Sequence, residues 1–117
     1  MEGQQIRDAL MEYKTGVGEL AKHFPDIAET YNRFTDACFE EGELCRKTKH
    51  LIGVALGVLT GDEYCILYHC KGAVDQGATD RQVLEAACVS AAFGGGMAMS
   101  QIVTLVQESL DAFRTAH

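Results

Sequence analysis

The spacing of apolar positions along the chain predicts an all-α fold. Apolar residues recur three and four apart in several long windows, and no proline follows Pro25. That period places the apolar side chains on one face of a helix, and the lack of proline leaves the helices uninterrupted. We therefore expect a compact bundle of about six helices. Their expected spans are residues 4–22, 25–42, 45–59, 63–76, 79–93 and 97–114.

Local signals place several of the helix ends. Pro25 suits the first turn of the second helix, because its missing N–H would have no partner there. Asp62 is a good N-cap for the fourth helix, and Gly77 is typical of a C-terminal stop. Thr79 and Gln82 have the spacing of a capping box, which predicts that the fifth helix begins there.

The third helix carries glycines at positions 53, 57 and 61, four residues apart. Small residues at this spacing allow another helix to approach closely. Residues 51–59 are apolar on every side of the helix, which predicts a central position in the bundle.

One stretch, residues 86–107, contains no charged residue. Its 22-residue length would be enough to cross a bilayer. Gly94, Gly95 and Gly96 interrupt it, and hydroxyl and amide side chains dilute its apolar character. We interpret it as two buried helices that meet at the triple glycine, in preference to a membrane helix.

Length and charge narrow the class of protein. The chain has 117 residues, a size expected of one domain over residues 1–117, and its net charge is −7. An acidic surface repels phosphate groups, so we expect neither nucleic acid nor anionic membranes as partners. The N-terminus has no signal-peptide pattern, and the cysteine count is odd at five. These features favour a cytoplasmic protein with reduced thiols.

The most informative positions are Asp62, Cys65 and His69. With Asp62 as N-cap, Cys65 lies in the first helical turn, where backbone N–H groups and the helix dipole stabilise a thiolate. His69 is one turn later on the same face and can reach the sulfur. A cysteine–histidine pair of this kind suits nucleophilic or redox chemistry. The Asp62 carboxylate opposes the thiolate, and the sequence leaves the balance open.

Simpler interpretations of these residues stay open. A helical cysteine is usually a small apolar filler, and Cys38, Cys45 and Cys88 are most simply core residues. Cys70 lies ~140° around the helix from Cys65, so the two do not share a face. Cys65 and His69, joined by His50 or Cys45, could bind zinc, but no second pair has ligand spacing. We therefore expect neither a metal nor a cofactor.

A basic group precedes the apolar half of the third helix. It consists of Arg46, Lys47 and Lys49, next to His50. The first interpretation is a solvated helix face at an oligomer surface. The alternative is attraction of an anionic substrate, because the sign of the charge changes locally in an acidic protein.

The segments 47–55, 65–69, 73–79 and 83–86 together resemble the carboxymuconolactone decarboxylase family, in its alkylhydroperoxidase D-like branch. The resemblance covers about residues 44–105. It implies an all-α fold and homo-oligomers, as trimers or hexamers. It also implies a Cys-x-x-Cys pair, a histidine four residues after it and a glutamate on the preceding helix. The second cysteine corresponds to Cys65 and the histidine to His69, while Asp62 replaces the first cysteine and His50 replaces the glutamate.

The resemblance implies a thiol-dependent oxidoreductase with peroxiredoxin-type, antioxidant activity. Cys65 would react with a peroxide or a disulfide, His69 would act as acid and base, and His50 and Asp62 would complete the site. A thiol reductant would then be a further partner. The alternatives are a cofactor-free decarboxylase acting on a small carboxylated lactone, and a family member without catalytic activity.

Overall fold

The computed structural model describes residues 2–115 and confirms the all-α fold, with no strand among these residues. The helices are α1 (Gly3–His23), α2 (Pro25–Cys38), α3 (Arg46–Thr60), α4 (Glu63–Asp75), α5 (Asp80–Gln101) and α6 (Gln107–Thr115). A π-helical stretch, Ile102–Val106, connects α5 to α6 without a break.

The expected break at the triple glycine is a kink. Gly95 has φ 59° and ψ −136°, a conformation open to glycine, and the helix continues on both sides of it. The π-helical stretch likewise bridges α5 and α6 without interruption. Within residues 2–115 there are therefore five separate helical segments, one fewer than the six expected.

The predicted signals at both ends of α4 are confirmed. Asp62 is the N-cap, and its Oδ1 accepts a hydrogen bond from the backbone N–H of Cys65 at 3.1 Å. Gly77 follows the helix with φ 87°. Thr79 and Gln82 form the expected capping box at the start of α5, with bonds of 3.0 and 3.1 Å. These short-range interactions determine where α4 begins and ends and where α5 begins.

Helix α2 ends at Cys38, about one turn earlier than the pattern predicts. The backbone after Cys38 is no longer helical, and side chains of α3 donate hydrogen bonds to its carbonyl groups. Arg46 Nε donates to the carbonyl of Phe39 at 3.2 Å, and Lys49 Nζ donates to the carbonyl of Glu40. These bonds substitute for the intrahelical bonds that a longer α2 would have made.

One core joins α1 and helices α3 to α6, and a large part of it lies between α3, α4 and α5. Val54, Val58, Ile66, Leu67 and Val83 are completely buried there. Helices α3 and α4 approach each other closely because α3 has small residues at the contact, as predicted for Gly53 and Gly57. A Cβ at position 57 would lie 3.1–3.2 Å from atoms of Cys65 and Ile66.

Gly61 has a different role from the one its spacing predicts. It follows α3 in the left-handed conformation, with φ 70°, and its N–H closes the end of the helix. Residues 51–59 have the central position that their apolar character predicts, because α3 packs against both α4 and α5, but one face of this stretch is open in the single chain. Ile52 and Leu56 are 44% and 56% exposed, because neighbouring helices cover only one face of α3.

The charge-free stretch is only partly buried, which corrects the expectation of two buried helices. Phe93 is 79% exposed and Met97 is 57% exposed, because the stretch packs on the core through one face and projects the other outward. Among residues 2–115, one helical segment, Asp80–Arg114, is long and apolar enough to cross a membrane by length and composition alone, and 28% of its most apolar window is buried. Core helices of soluble proteins have the same length and composition, so this is weak evidence for a membrane.

Candidate functional site

The close contact between α3 and α4 makes room for two histidine rings. His50 belongs to α3 and faces Gly72 of α4, while His69 belongs to α4 and faces Gly53 of α3. A Cβ on Gly53 would come within 2.5–2.7 Å of the His69 ring, and a Cβ on Gly72 would overlap the His50 ring. Only glycine at both positions allows each ring to lie against the opposite helix.

The two rings form a hydrogen-bonded pair. His50 Nδ1 and His69 Nδ1 lie 3.1 Å apart, and the ring centroids are 5.4 Å apart. One nitrogen must donate and the other must accept, so the bond requires that at least one of the two rings be neutral. The pair can therefore hold, pass on or share a single proton.

Burial keeps both rings neutral. It lowers the pKa of His69 to about 4, with a further contribution from His50, whereas Asp62 acts weakly in the opposite direction. Burial also lowers the pKa of His50, assisted by the positive charge of Arg46 and opposed by Asp75. Near neutral pH the arrangement is thus an uncharged imidazole pair in a half-buried site.

Aromatic rings surround the histidine pair. Phe39 stacks on His69, with centroids 5.0 Å apart and an interplanar angle of 15°, and contacts His50 at 4.9 Å. Tyr68 meets His69 edge-on at 5.1 Å. These rings cover part of the histidine pair.

Cys65 is one turn before His69 on α4 and is half-buried. Burial raises the pKa of the Cys65 thiol to about 11, and Asp62 raises it further through a hydrogen bond and its negative charge. Burial and the Asp62 carboxylate thus both favour the protonated thiol over the thiolate. The thiol is protonated at neutral pH.

His69 does not take the hydrogen-bonding partner that the helical spacing suggests. Within residues 2–115, its ring nitrogen is bonded to His50 and not to Cys65. The expected sites nevertheless lie along one contact between α3 and α4: Asp62 and Cys65 at the start of α4, His69 in its middle, and His50 opposite Gly72 nearer its end. A proton that leaves Cys65 would find the histidine pair one helical turn away.

The other cysteines are arranged differently from the expectation. Cys38, Cys45 and Cys88 are exposed, so the prediction that they are core residues is wrong. Cys70 is the buried one, and burial raises its pKa to about 12. The reason is the position of each residue: Cys38 and Cys45 stand at helix ends, and Cys88 lies on the outer face of α5.

The pKa of the Cys45 thiol is shifted in the opposite direction to that of Cys65. It is the N-cap of α3, and its Sγ lies 3.2 Å from Thr48 Oγ1. The hydrogen bond with Thr48 lowers the pKa of the exposed Cys45 thiol, and Lys47 contributes in the same direction. Cys45 is therefore the more acidic thiol of the two.

The basic group has a structural use that sequence reasoning missed. Arg46 and Lys49 donate to the carbonyls of Phe39 and Glu40, which lie after α2.

Sequence reasoning also missed Phe39, which it assigned to the body of α2. Its one signal is its place three residues before Gly42, a residue that disfavours helix. No group of three or more His, Cys, Asp or Glu side chains within residues 2–115 is arranged to hold a metal ion.

Comparison with known proteins shows which sequences this chain is similar to. The sequence profile of the carboxymuconolactone decarboxylase family matches residues 25–108. The uncharacterized protein 4 in the cox locus of Paracoccus denitrificans is 35% identical over 82 residues, 70% of this chain and 74% of that protein. An uncharacterized protein of Cupriavidus necator is 30% identical over 91 residues, 78% of this chain and 80% of the relative.

Solved structures share the fold over almost the whole chain. A carboxymuconolactone decarboxylase family protein from Legionella pneumophila superposes with a TM-score of 0.84, at 26% identity, over 95% of this chain and 96% of the other. A crystal structure of a Thermotoga maritima protein gives a TM-score of 0.80 at 22% identity, over 92% and 95%. An involvement in antioxidative response has been suggested for that protein. With a family profile matched over residues 25–108, this chain belongs to the carboxymuconolactone decarboxylase family.

Proposed function

We propose that this protein is a thiol-dependent oxidoreductase of the alkylhydroperoxidase D-like type. Cys65 is the reacting thiol, His69 exchanges its proton, and His50 relays it. The observation that carries the proposal is the placement of Cys65 one helical turn before a histidine that is itself hydrogen-bonded to a second histidine. That arrangement joins a nucleophile to a chain of two proton acceptors.

The reaction with a peroxide balances without a cofactor. The Cys65 sulfur attacks one peroxide oxygen, the S–O bond forms, and the O–O bond breaks. The thiol becomes a sulfenic acid, and its proton passes through the histidine pair to the departing alkoxide, which leaves as an alcohol. A small thiol then condenses with the sulfenic acid to release water, and a second one reduces the mixed disulfide.

The protonated state of Cys65 sets a condition on this chemistry. With a pKa of about 11, only a small fraction of the thiol is thiolate at neutral pH. The proposed reaction therefore accelerates as pH rises. The resemblance implies a resolving cysteine at the position of Asp62, which has no thiol. The thiol that reacts with the oxidised Cys65 therefore comes from another cysteine or from a small-molecule reductant. The cytoplasm, where such reductants are abundant, is the compartment that we propose.

A cleft beside the site supports an organic substrate. It has a volume of about 550 Å³ between α1, α2 and the start of α4, and Tyr13, Tyr31 and Tyr64 line it. Tyr64 directly precedes Cys65 in the chain, so the cleft borders the start of α4, where Cys65 lies. The antioxidative role suggested for the Thermotoga maritima protein is in keeping with a peroxide substrate.

One observation favours a second function. The histidine pair is neutral and shielded, which also suits transfer of a proton to or from a small carboxylated lactone without participation of a thiol. In that case His69 is the acid–base group and Cys65 is a bystander. The decarboxylase-like reaction is thus the second candidate.

Turnover of cumene hydroperoxide with dithiothreitol tests the first candidate. We expect Cys65→Ser to abolish the activity and His69→Gln to reduce it strongly. Cys88→Ser is the matched control, since it removes an exposed thiol from another helix, and should leave turnover unchanged. Peroxide turnover that survives Cys65→Ser would contradict the proposal. Lactone turnover that depends on His69 and not on Cys65 would establish the second candidate instead.

A gain of activity provides an independent test. Asp62→Cys would restore the second thiol of the implied Cys-x-x-Cys pair and would remove the carboxylate that raises the pKa of Cys65. Peroxide turnover at pH 7 should therefore increase. The lost N-cap lowers helix stability by about 1 kcal/mol, which a packed helix tolerates. A folded variant that forms the 62–65 disulfide without any gain would contradict the redox role.

A further inference from the structure

Phe39 is the residue that covers the histidine pair. Its ring lies nearly parallel to His69, at 15°, and contacts His50 at a similar centroid distance, 4.9 Å against 5.0 Å. One side chain thus touches both members of the pair. It comes from neither of the helices that carry the histidines, because it is the C-cap residue of α2.

Three hydrogen bonds fix the strap, residues 39–41, on the first turn of α3. Arg46 Nε donates to the Phe39 carbonyl at 3.2 Å, and Lys49 Nζ donates to the Glu40 carbonyl. The backbone N–H of Arg46 donates to Glu41 Oε1 at 3.0 Å. The same helix turn that anchors the strap leads directly to His50. The position of Phe39 is therefore tied to the position of the histidine pair.

We infer that Phe39 is a positioning residue for the His50–His69 pair, which it holds ring against ring and shields from water. Arg46 and Lys49 act one step further away, by keeping the strap in place. The catalytic meaning of this inference rests on the proposed function, whereas the positioning itself does not. It also gives the basic group a purpose other than attraction of substrate.

The charged and titratable groups around the rings come from each element packed there. Arg46 on α3 and Asp75 on α4 act on His50, and Asp62 before α4 acts on His69. On the strap, the Glu41 carboxylate is occupied by the Arg46 N–H. Replacement of the Phe39 side chain removes none of these charged groups and none of the strap's hydrogen bonds to backbone carbonyls as such. A change in the pKa of His50 or His69 then reports the loss of the phenyl ring that covers them.

The two effects of a phenyl ring on an imidazole have opposite signs. Shielding from water disfavours the charged ring, whereas stacking of a π face on an imidazolium favours it. Phe39→Leu keeps the cover and removes the π face, and Phe39→Ala removes both. If shielding dominates, Phe39→Leu leaves the histidine pKa values low and Phe39→Ala raises them.

The experiment is a titration of the histidine rings of the full chain by nuclear magnetic resonance. We expect Phe39→Ala to raise the pKa of His69 from about 4 by at least about one unit, a tenfold gain in proton affinity. Phe39→Leu should keep the pKa near the wild-type value. Phe34→Ala is the matched control, because it removes a 65% exposed phenyl ring from the same helix.

An unchanged or lower pKa of His69 in Phe39→Ala overturns the inference. Should Phe39→Ala fail to fold, Arg46→Lys provides the second variant, since it keeps the charge and loses the Nε–H donor to the strap. We expect a smaller rise of the His69 pKa there, and no rise would count equally against positioning. Peroxide turnover is measured in parallel. Turnover that survives Cys65→Ser would refute the proposed function, whatever the titration of the rings shows.

Discussion

At the scale of single residues, Asp62 has two opposed effects on Cys65. Its carboxylate accepts the backbone N–H of Cys65 at 3.1 Å, which stabilises the start of α4. The same carboxylate uses up a donor that would otherwise stabilise a thiolate and adds a negative charge beside the sulfur. Asp62 therefore stabilises the helix but makes the Cys65 thiol less acidic.

Alkylation of the cysteines should reveal this opposition. We expect Cys65 to react slowly with iodoacetamide at pH 7 and faster as pH rises toward about 11, because the thiolate is the reactive form. Cys45 should react sooner, because it is exposed and its pKa is lowered. Mass spectrometry of the modified peptides resolves the two. Asp62→Asn should shift the Cys65 profile to lower pH, and an unshifted profile would contradict the role of Asp62.

The buried state of His69 should make stability depend on pH. Its pKa is about 4 in the folded chain against 6.5 in the unfolded chain, so the unfolded chain binds more protons between these values. Stability from this residue is therefore complete above pH 6.5 and is lost as pH falls toward 4. We expect this residue to lower the free energy of unfolding by up to about 2 kcal/mol from pH 7.5 to pH 5, because water that reaches the partly exposed ring screens part of the effect.

Urea unfolding at the two pH values measures this difference. His69→Gln should remove most of it, whereas His23→Gln should retain it, since His23 is exposed at the end of α1. Equal pH dependence in the two variants would show that His69 is not the source. The carboxylates contribute equally to both variants, so the comparison isolates the histidine.

At the scale of elements, the pairing of α3 with α4 creates the site. Each helix presents a glycine to the histidine of the other, Gly53 to His69 and Gly72 to His50. The rings then meet in the space between the backbones. Helix contact and histidine pairing are therefore one feature, and a larger residue at either glycine would disturb both.

Substitution of Gly53 by alanine should show this coupling. A Cβ there would lie 2.5 Å from His69 Cγ, so the ring or the helix must move. We expect a loss of about 1–3 kcal/mol in the free energy of unfolding and a changed His69 titration. Gly18→Ala in α1 is the control, since nothing lies within 4 Å of its Cβ, and it should gain up to about 1 kcal/mol. Equal effects of both substitutions would refute the close contact.

The features that could be predicted from the sequence are those set by short-range rules. The cap at Asp62, the capping box of Thr79 and the stop at Gly77 each depend on residues within four positions. The same applies to the spacing of Cys65 and His69. Such rules are local, so no knowledge of the fold is needed to apply them.

The features that could not be predicted depend on contacts between distant segments. The bond between His50 and His69 joins residues 19 apart, and Phe39 reaches His69 across 30 positions. The early end of α2 depends on Arg46 and Lys49, which lie on the next helix. The burial of Cys70 rather than Cys88 depends on which face α4 and α5 turn to the core. None of these follows from periodicity alone.

At the scale of the whole molecule, several large apolar side chains are exposed on the charge-free stretch. Val89, Phe93, Met97 and Val103 are 59%, 79%, 57% and 51% exposed along one charge-free stretch. Exposed apolar patches of this kind mark surfaces that meet another molecule. We propose that copies of this chain cover the patch in a homo-oligomer, in the trimer or hexamer implied by the resemblance.

Sedimentation velocity provides the test of assembly. We expect the 12.7 kDa chain to sediment at three or six times its mass at micromolar concentration, and Phe93→Glu to shift it toward the monomer, because a charge would then be buried between copies. Thr15→Glu, which adds the same charge at an exposed polar position of α1, should leave the assembly intact. A wild-type monomer that stays free of neutral phospholipid vesicles would contradict the proposal, and one that floats with them would assign the apolar stretch to a membrane.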